Sequence, residues 1–455
     1  MKLKQITKLL FAIFIAYTLG SCNSDSTEYT VSGASKDAQI YRFKLSAIAY
    51  TKQDSLSYPV LAKTLFSIDQ FKQSIYNVDS LPYKTSLRKV YASISFGSSS
   101  PSKLQIIYPD SVSVWNGSDS IDFSRVPKIK VTAADGTTSI EYSVDVRIHK
   151  VDPDTLMWTK MTNLEQPASI TGKQRTLLID NTFYTFSIDS DNKLYLYKAD
   201  KSTAYQPKQA VNGLSGNKIK LESITFFNNS FYAVDSDSKA YVSDKQGITW
   251  KEKNTNIVNI IGILPSSSEE KDMLLVLAQK DNKTYLARTS NLDKDKLIYE
   301  SSAISENFPV SGFSSVTNYN RSSLNYAILA ISGGKTQSGA ATNLTWSFQL
   351  DGDALRIIPN QSHSVFNGQN GVVTFLYDSY LYALVNNKFY KSASYGAKWS
   401  LAPNKEILDT NIPKASKQSV IVDTDNYIWI FGGIKDADGA SVQDVWRGRI
   451  NRLNP

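Results

Sequence analysis

Phe231 to Trp250 reads FYAVDSDSKAYVSDKQGITW and decides the fold. An apolar strand, Phe231 to Val234, runs into a polar turn over Asp235 to Lys239. A second strand follows with Tyr241 at its centre, and a glycine turn at Gly247 leads to a short strand reaching Trp250. Strand, Asp/Ser turn, strand is the signature of a β-hairpin.

The unit recurs along the last 300 or so residues. Middle strands align at Phe183-Tyr184, Phe231-Tyr232, Met273-Leu274, Asn325-Tyr326, Leu381-Tyr382 and Ile428-Trp429. A third strand carries Tyr195, Tyr241, Tyr285, Trp346, Tyr390 or Trp446. A fourth carries Tyr205, Trp250, Tyr299, Arg356 or Trp399, and Arg356 breaks the aromatic pattern. Six such units predict a six-bladed β-propeller over residues 153–455. The sixth unit lacks a fourth strand before Pro455. Met157-Trp158-Thr159-Lys160 has the shape of Thr249-Trp250-Lys251-Glu252, so the strand around Trp158 is expected to close the last blade, with Trp158 beside Trp446. Closure removes two exposed sheet edges.

Residues 38–152 alternate instead. Gln39 to Leu45, Lys128 to Thr132 and Ile140 to Ile148 each switch between apolar and polar residues, and Ala134-Asp135-Gly136 joins the last two as a hairpin. A domain of this size with this pattern predicts an immunoglobulin-like β-sandwich. Pro153 ends it. The fold class is therefore all-β, and the 26 tyrosines, 19 phenylalanines and 7 tryptophans agree with that.

The N-terminus reads as a secretory signal over residues 1–21. Lys2, Lys4 and Lys8 precede the apolar run Leu9 to Leu19, which is too short to span a bilayer. Residues 22–37 are a polar tether. Removing the three lysines leaves 47 of the 50 basic residues against 42 acidic ones, a net charge of +5. The lysines are scattered, which argues against a nucleic-acid partner. Cys22 is the single cysteine, so disulfides are excluded.

Leu19-Gly20-Ser21-Cys22 resembles the bacterial lipobox, which implies acylation of Cys22 and a membrane partner through the lipid. Asn23-Ser24-Asp25 resembles the export signal of Bacteroidetes surface lipoproteins. Together these imply an outer-membrane location, facing the periplasm or the cell surface.

Two propeller families also leave traces. Ser243 to Trp250 and Ser392 to Trp399 resemble the Asp-box of sialidases, with Lys245 and Ser394 where the box has its Asp. Ile430-Phe431-Gly432-Gly433 and Asp444-Val445-Trp446-Arg447-Gly448 resemble a kelch repeat, as do Ile331 to Gly334 and Leu344-Thr345-Trp346. The whole arrangement resembles an uncharacterised family of Bacteroidales lipoproteins, which implies architecture and no activity.

No catalytic residues are predicted. A sialidase-like site needs several arginines on inner strands. Of Arg175, Arg288, Arg321, Arg356, Arg447, Arg449 and Arg452, only Arg175 falls near one. His149 and His363 are the only histidines, too few for copper or zinc ligation, so no metal or cofactor is expected. Asp436-Ala437-Asp438-Gly439 with Asp444 is partly like a calcium loop, but an Asp-Gly turn is the simpler reading. Scattered Asp residues leave a glycosidase carboxylate pair open.

Loop length marks the expected binding face. The loops Gly333 to Asn343 and Gly433 to Gln443 are much longer than their counterparts, and Gln361 to Gly371 shares their face. Lys335, Gln337, His363, Asn370, Asp436 and Asp438 are the candidate ligand contacts. The functional expectation is a non-catalytic binding or scaffolding module for a glycan or an envelope protein partner. The alternative is a glycan-active enzyme with a divergent site.

Overall fold

The computed structural model describes residues 33–47, 59–97, 99–322, 327–342, 344–360 and 372–452. The chain divides into two units after Asp152.

In the first unit a six-stranded sheet runs in the order Phe66–Asp69, Ser74–Asn77, Ser139–Asp145, Lys128–Thr132, Lys103–Tyr108, Ser111–Val114. Ser74–Asn77 and Ser139–Asp145 pair in parallel. A two-stranded ribbon, Arg42–Ala47 with Val90–Ser95, completes it. Alternation does what period two requires: Ile129, Val131, Tyr142 and Val144 point into one core shared with Phe43, Leu45 and Val90. Buried Tyr142 donates its hydroxyl to Gln70 Oε1 at 2.6 Å and accepts the Ile40 N–H at 3.2 Å, so the phenol is satisfied. The first strand begins at Arg42, not at Gln39.

The second unit holds six four-stranded sheets among the described residues. Their inner strands are Gln174–Ile179, Ile219–Phe227, Ile257–Leu264, Ser314–Tyr319, Val373–Tyr377 and Ser419–Val422. Each touches the next and the last touches the first, so the sheets form a ring. Sandwiching each sheet between two neighbours explains why middle strands are apolar on both faces. Phe231 and Ala233 pack toward the first sheet with Phe186 and Leu196, while Tyr232 and Val234 pack toward the third with Leu274 and Val276. Two-residue turns such as Asn228-Asn229 and Asn386-Asn387 have positive φ at both positions, which Asn tolerates and hairpin twist favours.

The sixth sheet is Ser419–Val422, Ile428–Phe431, Val445–Asn451 and, from the other end of the unit, Thr155–Lys160. The register sets Gly448 opposite Trp158 and Lys160 opposite Trp446. Trp158 and Trp446 are therefore diagonal neighbours in one core cluster and not directly opposed; the Trp158 indole stacks on Phe389 with ring centres 6.3 Å apart and donates its Nε1–H to Ile407 O at 2.9 Å. Trp158 stays half-buried, and Leu156 is the residue of this strand sunk in the core.

Two further expectations shift. Tyr205 precedes the outer strand Gln209–Ala210, and its ring packs edge-on against Tyr197. Trp399 stands just before the outer strand Ser400–Leu401. Asn325-Tyr326 lies outside the described residues, and the strand there is Ala327–Ser332.

Candidate functional site

The two longest connections between second and third strands among the described residues are built from one local recipe. Gly432 (φ 56°) and Gly433 (φ 101°) end the second strand of the sixth sheet. A Cβ at Gly433 would stand 2.7 Å from Ser416 O, so only glycine lets the chain pass there. Past it, Ile434–Lys435 pairs with Ala415–Ser416, and the chain folds back with Lys435 N–H on Ala440 O at 2.8 Å. The fourth sheet repeats this. A Cβ at Gly334 would stand 2.6 Å from Ser311 O, Lys335–Thr336 pairs with Pro309–Ser311, and Thr336 N–H reaches Ala340 O at 2.9 Å.

Between these two hairpins, the fifth sheet turns with Asn386-Asn387 alone. Among the described residues, this turn is therefore the short one between two long hairpins. Between this turn and the sixth-sheet segment 415–418 lies a cleft of about 90 Å³. Val372, Val373, Leu384 and Val385 form an apolar floor. Asn386, Asn387, Ser416, Lys417, Gln418 and Asp436 form a polar rim. Amides, a hydroxyl, one cation and one carboxylate over a small apolar floor suit a hydroxyl-rich or peptidic group.

The connection that leads to Lys417 is tied to the fifth sheet. Glu406 is 8% exposed; it accepts the Tyr382 hydroxyl at 2.6 Å and Lys391 Nζ at 2.9 and 3.1 Å. Burial, and then the adjacent Glu406 carboxylate, drive the Tyr382 phenol up from its usual range. Removing one partner of such a buried set costs about 3–5 kcal/mol. Leu408 and Ile412 anchor the same segment in the core.

Of the residues expected at the site, Asp436 lines the cleft. Asp438 is spent on its own turn, accepting the Ala440 N–H at 2.9 Å. Lys335 and Gln337 are exposed on the separate fourth-sheet hairpin. His363, Asn370 and Cys22 lie outside the described residues. Asn386, Asn387, Lys417 and Gln418 were not anticipated, because a short turn between long ones is conspicuous only once the sheets are in order. Asp444 pairs with Lys160 at 2.7 Å instead of joining Asp436 and Asp438. Among the described residues no three His, Cys, Asp or Glu side chains converge as metal ligands do.

The chain belongs to the DUF6242 family. Residues 152–454 match its β-propeller domain and residues 43–146 its N-terminal domain, described as a domain of unknown function. The ring is thus a β-propeller. No curated protein matches the sequence. Similar solved structures include an auxiliary nutrient binding protein from Bacteroides ovatus ATCC 8483, 11% identical over 81% of this chain and 99% of that one, with a TM-score of 0.44. The lectin of Aleuria aurantia is 13% identical over 62% of this chain and 93% of its own, with a TM-score of 0.38. A protein of unknown function from Bacteroides thetaiotaomicron VPI-5482 is 10% identical over 85% and 98%, with a TM-score of 0.37.

Proposed function

We propose that this member of the DUF6242 family is a lipid-anchored envelope protein whose propeller is a non-catalytic binding module for a glycan or an envelope protein. The observation that carries the reading is the cleft over the fifth sheet, with its rim of Asn386, Asn387, Lys417, Gln418 and Asp436. Its polar groups are varied and mostly neutral, which favours holding a ligand over activating a nucleophile. We read the six sheets as six blades and the first unit as an immunoglobulin-like sandwich. The anchor is Cys22, supported by the lipobox-like Leu19-Gly20-Ser21-Cys22, and the location is a bacterial outer membrane.

The experiment is a panel of oligosaccharides and solubilised envelope proteins, scored in parallel for binding to the full chain and for chemical change of the probe. Binding with the probe recovered intact supports the reading. Turnover of any probe would replace it with a glycan-active enzyme.

A further inference from the structure

Four propeller arginines hold a carboxylate: Arg288 with Glu300, Arg321 with Asp272, Arg356 with Asp351 and Arg452 with Asp378. Arg175 does not. It is the second residue of the innermost strand of the first sheet and pairs with Phe186, whose ring packs against Phe231 and Trp250 of the second sheet. Arg175 therefore leaves its strand toward the second sheet. Its Nε is sealed from solvent and has no hydrogen-bond partner, and among the described residues no carboxylate lies within 4 Å. The residue is half-buried: its Nε is sealed, while part of its surface stays accessible.

The opposing strand is irregular at the same place. The register of Ile219–Phe227 slips between Lys220 and Thr225. Glu222, inside the slipped stretch, is exposed and sends a weak opposing field to Arg175. Lys220 turns the other way and gives its Nζ to Val258 O at 2.7 Å. Burial holds both Arg175 and Lys220 below their ordinary values, with Glu222 offsetting part of it. Bulges of this kind gather beside sites because they re-aim side chains.

A buried guanidinium without a counter-ion destabilises a fold, and an apolar side chain of similar volume would serve packing better. Its retention makes sense if the counter-ion arrives from outside. We propose that Arg175 is the receptor for the carboxylate of a small organic acid bound on the inner wall between the first and second sheets. The planar fork of a guanidinium matches a carboxylate in bidentate geometry. This site is separate from the cleft between the fifth and sixth sheets and does not depend on it.

The test is thermal unfolding of the full chain in chloride and, at matched ionic strength, in acetate, glucuronate or glutamate. The wild-type midpoint is expected to rise by about 2 °C or more with at least one carboxylate. Arg175→Met should melt at or above the wild type in chloride, having lost an unpaired buried charge, and should not respond to any of the acids. Arg175→Lys should respond less than wild type. Response to glucuronate alone would make the ligand a sugar acid, to glutamate alone an amino acid. The proposal is overturned if Arg175→Met melts several degrees lower or fails to fold in chloride, if it responds like wild type, or if no carboxylate shifts the wild type.

Discussion

Gly448 lies flat against the indole of Trp158: a Cβ added at Gly448 would stand 2.6 Å from Cε3 and 2.7 Å from Cζ3 of that ring. The contact joins the first strand of the propeller to its last full strand, about 290 residues away in the chain. The backbone of Gly448 is in an ordinary strand conformation, so the glycine is needed there for space alone.

Gly448→Ala should therefore push the indole off its strand and off Phe389. Overpacking of this kind costs about 1–3 kcal/mol. Urea unfolding followed by tryptophan fluorescence should show a lower midpoint and an altered native emission. An unchanged midpoint would mean that the indole has room to move and that the contact contributes little.

Leu156 should matter more than Trp158. Leu156 is 6% exposed and packs among Tyr382, Leu408 and Ile450, whereas Trp158 is half-buried. Leu156→Ala should cost about 2–5 kcal/mol. Trp158→Ala should cost less, because part of its surface is already wet. If the two variants ranked the other way in urea, the indole would be the true anchor of the closing strand.

The sequence carried the ring and its closing strand in different ways. Repeated hairpins such as Phe231 to Asp244 were legible because both sides of a middle strand are buried, which leaves an unmistakable apolar run. The Thr155–Lys160 strand was legible through the likeness of Met157-Trp158-Thr159 to Thr249-Trp250-Lys251. Register was not, since sliding the strand by two residues preserves every facing pattern and changes only the partner. That is why Trp446 looked like the direct partner of Trp158, although Gly448 faces it and Trp446 sits diagonally in the same cluster. Asp436 was found through the length of its loop. Asn386 and Asn387 escaped because their turn is short, and Lys417 and Gln418 because nothing local says that their segment borders a cleft. Tyr205 looked like a strand residue and instead covers Thr185, a tertiary contact with no sequence period.

Alkaline pH should loosen the propeller at Tyr205. Burial pushes its phenol up to about 12, against smaller opposing effects of Thr185 and Gln166. The folded value lies above the unfolded 10.0, so the folded chain favours the neutral phenol. Its contribution is complete below pH 10 and is lost as pH rises toward 12. The loss is about 1–2 kcal/mol once residual exposure is discounted. Tyr205→Phe should show a shallower fall in stability over this interval. An identical pH profile for the two proteins would contradict the assignment.

Cys22→Ala should abolish fatty-acid labelling of the chain in cells and move it from the membrane to the soluble fraction. Persistence of both label and membrane association would remove the lipid anchor from the account.

The most direct measurement is the affinity of the full chain, by calorimetry, for the first saccharide or envelope protein that the binding panel yields. It should be compared with Lys417→Ala/Asp436→Ala and with a chain whose 336–341 and 435–440 hairpins are shortened. A cleft that binds predicts at least a tenfold weaker interaction in the double variant, about 1.4 kcal/mol, with an unchanged melting temperature. Shortening both hairpins should weaken binding further. Full affinity in both variants, with the fold intact, would place the binding surface elsewhere on the protein and contradict the account.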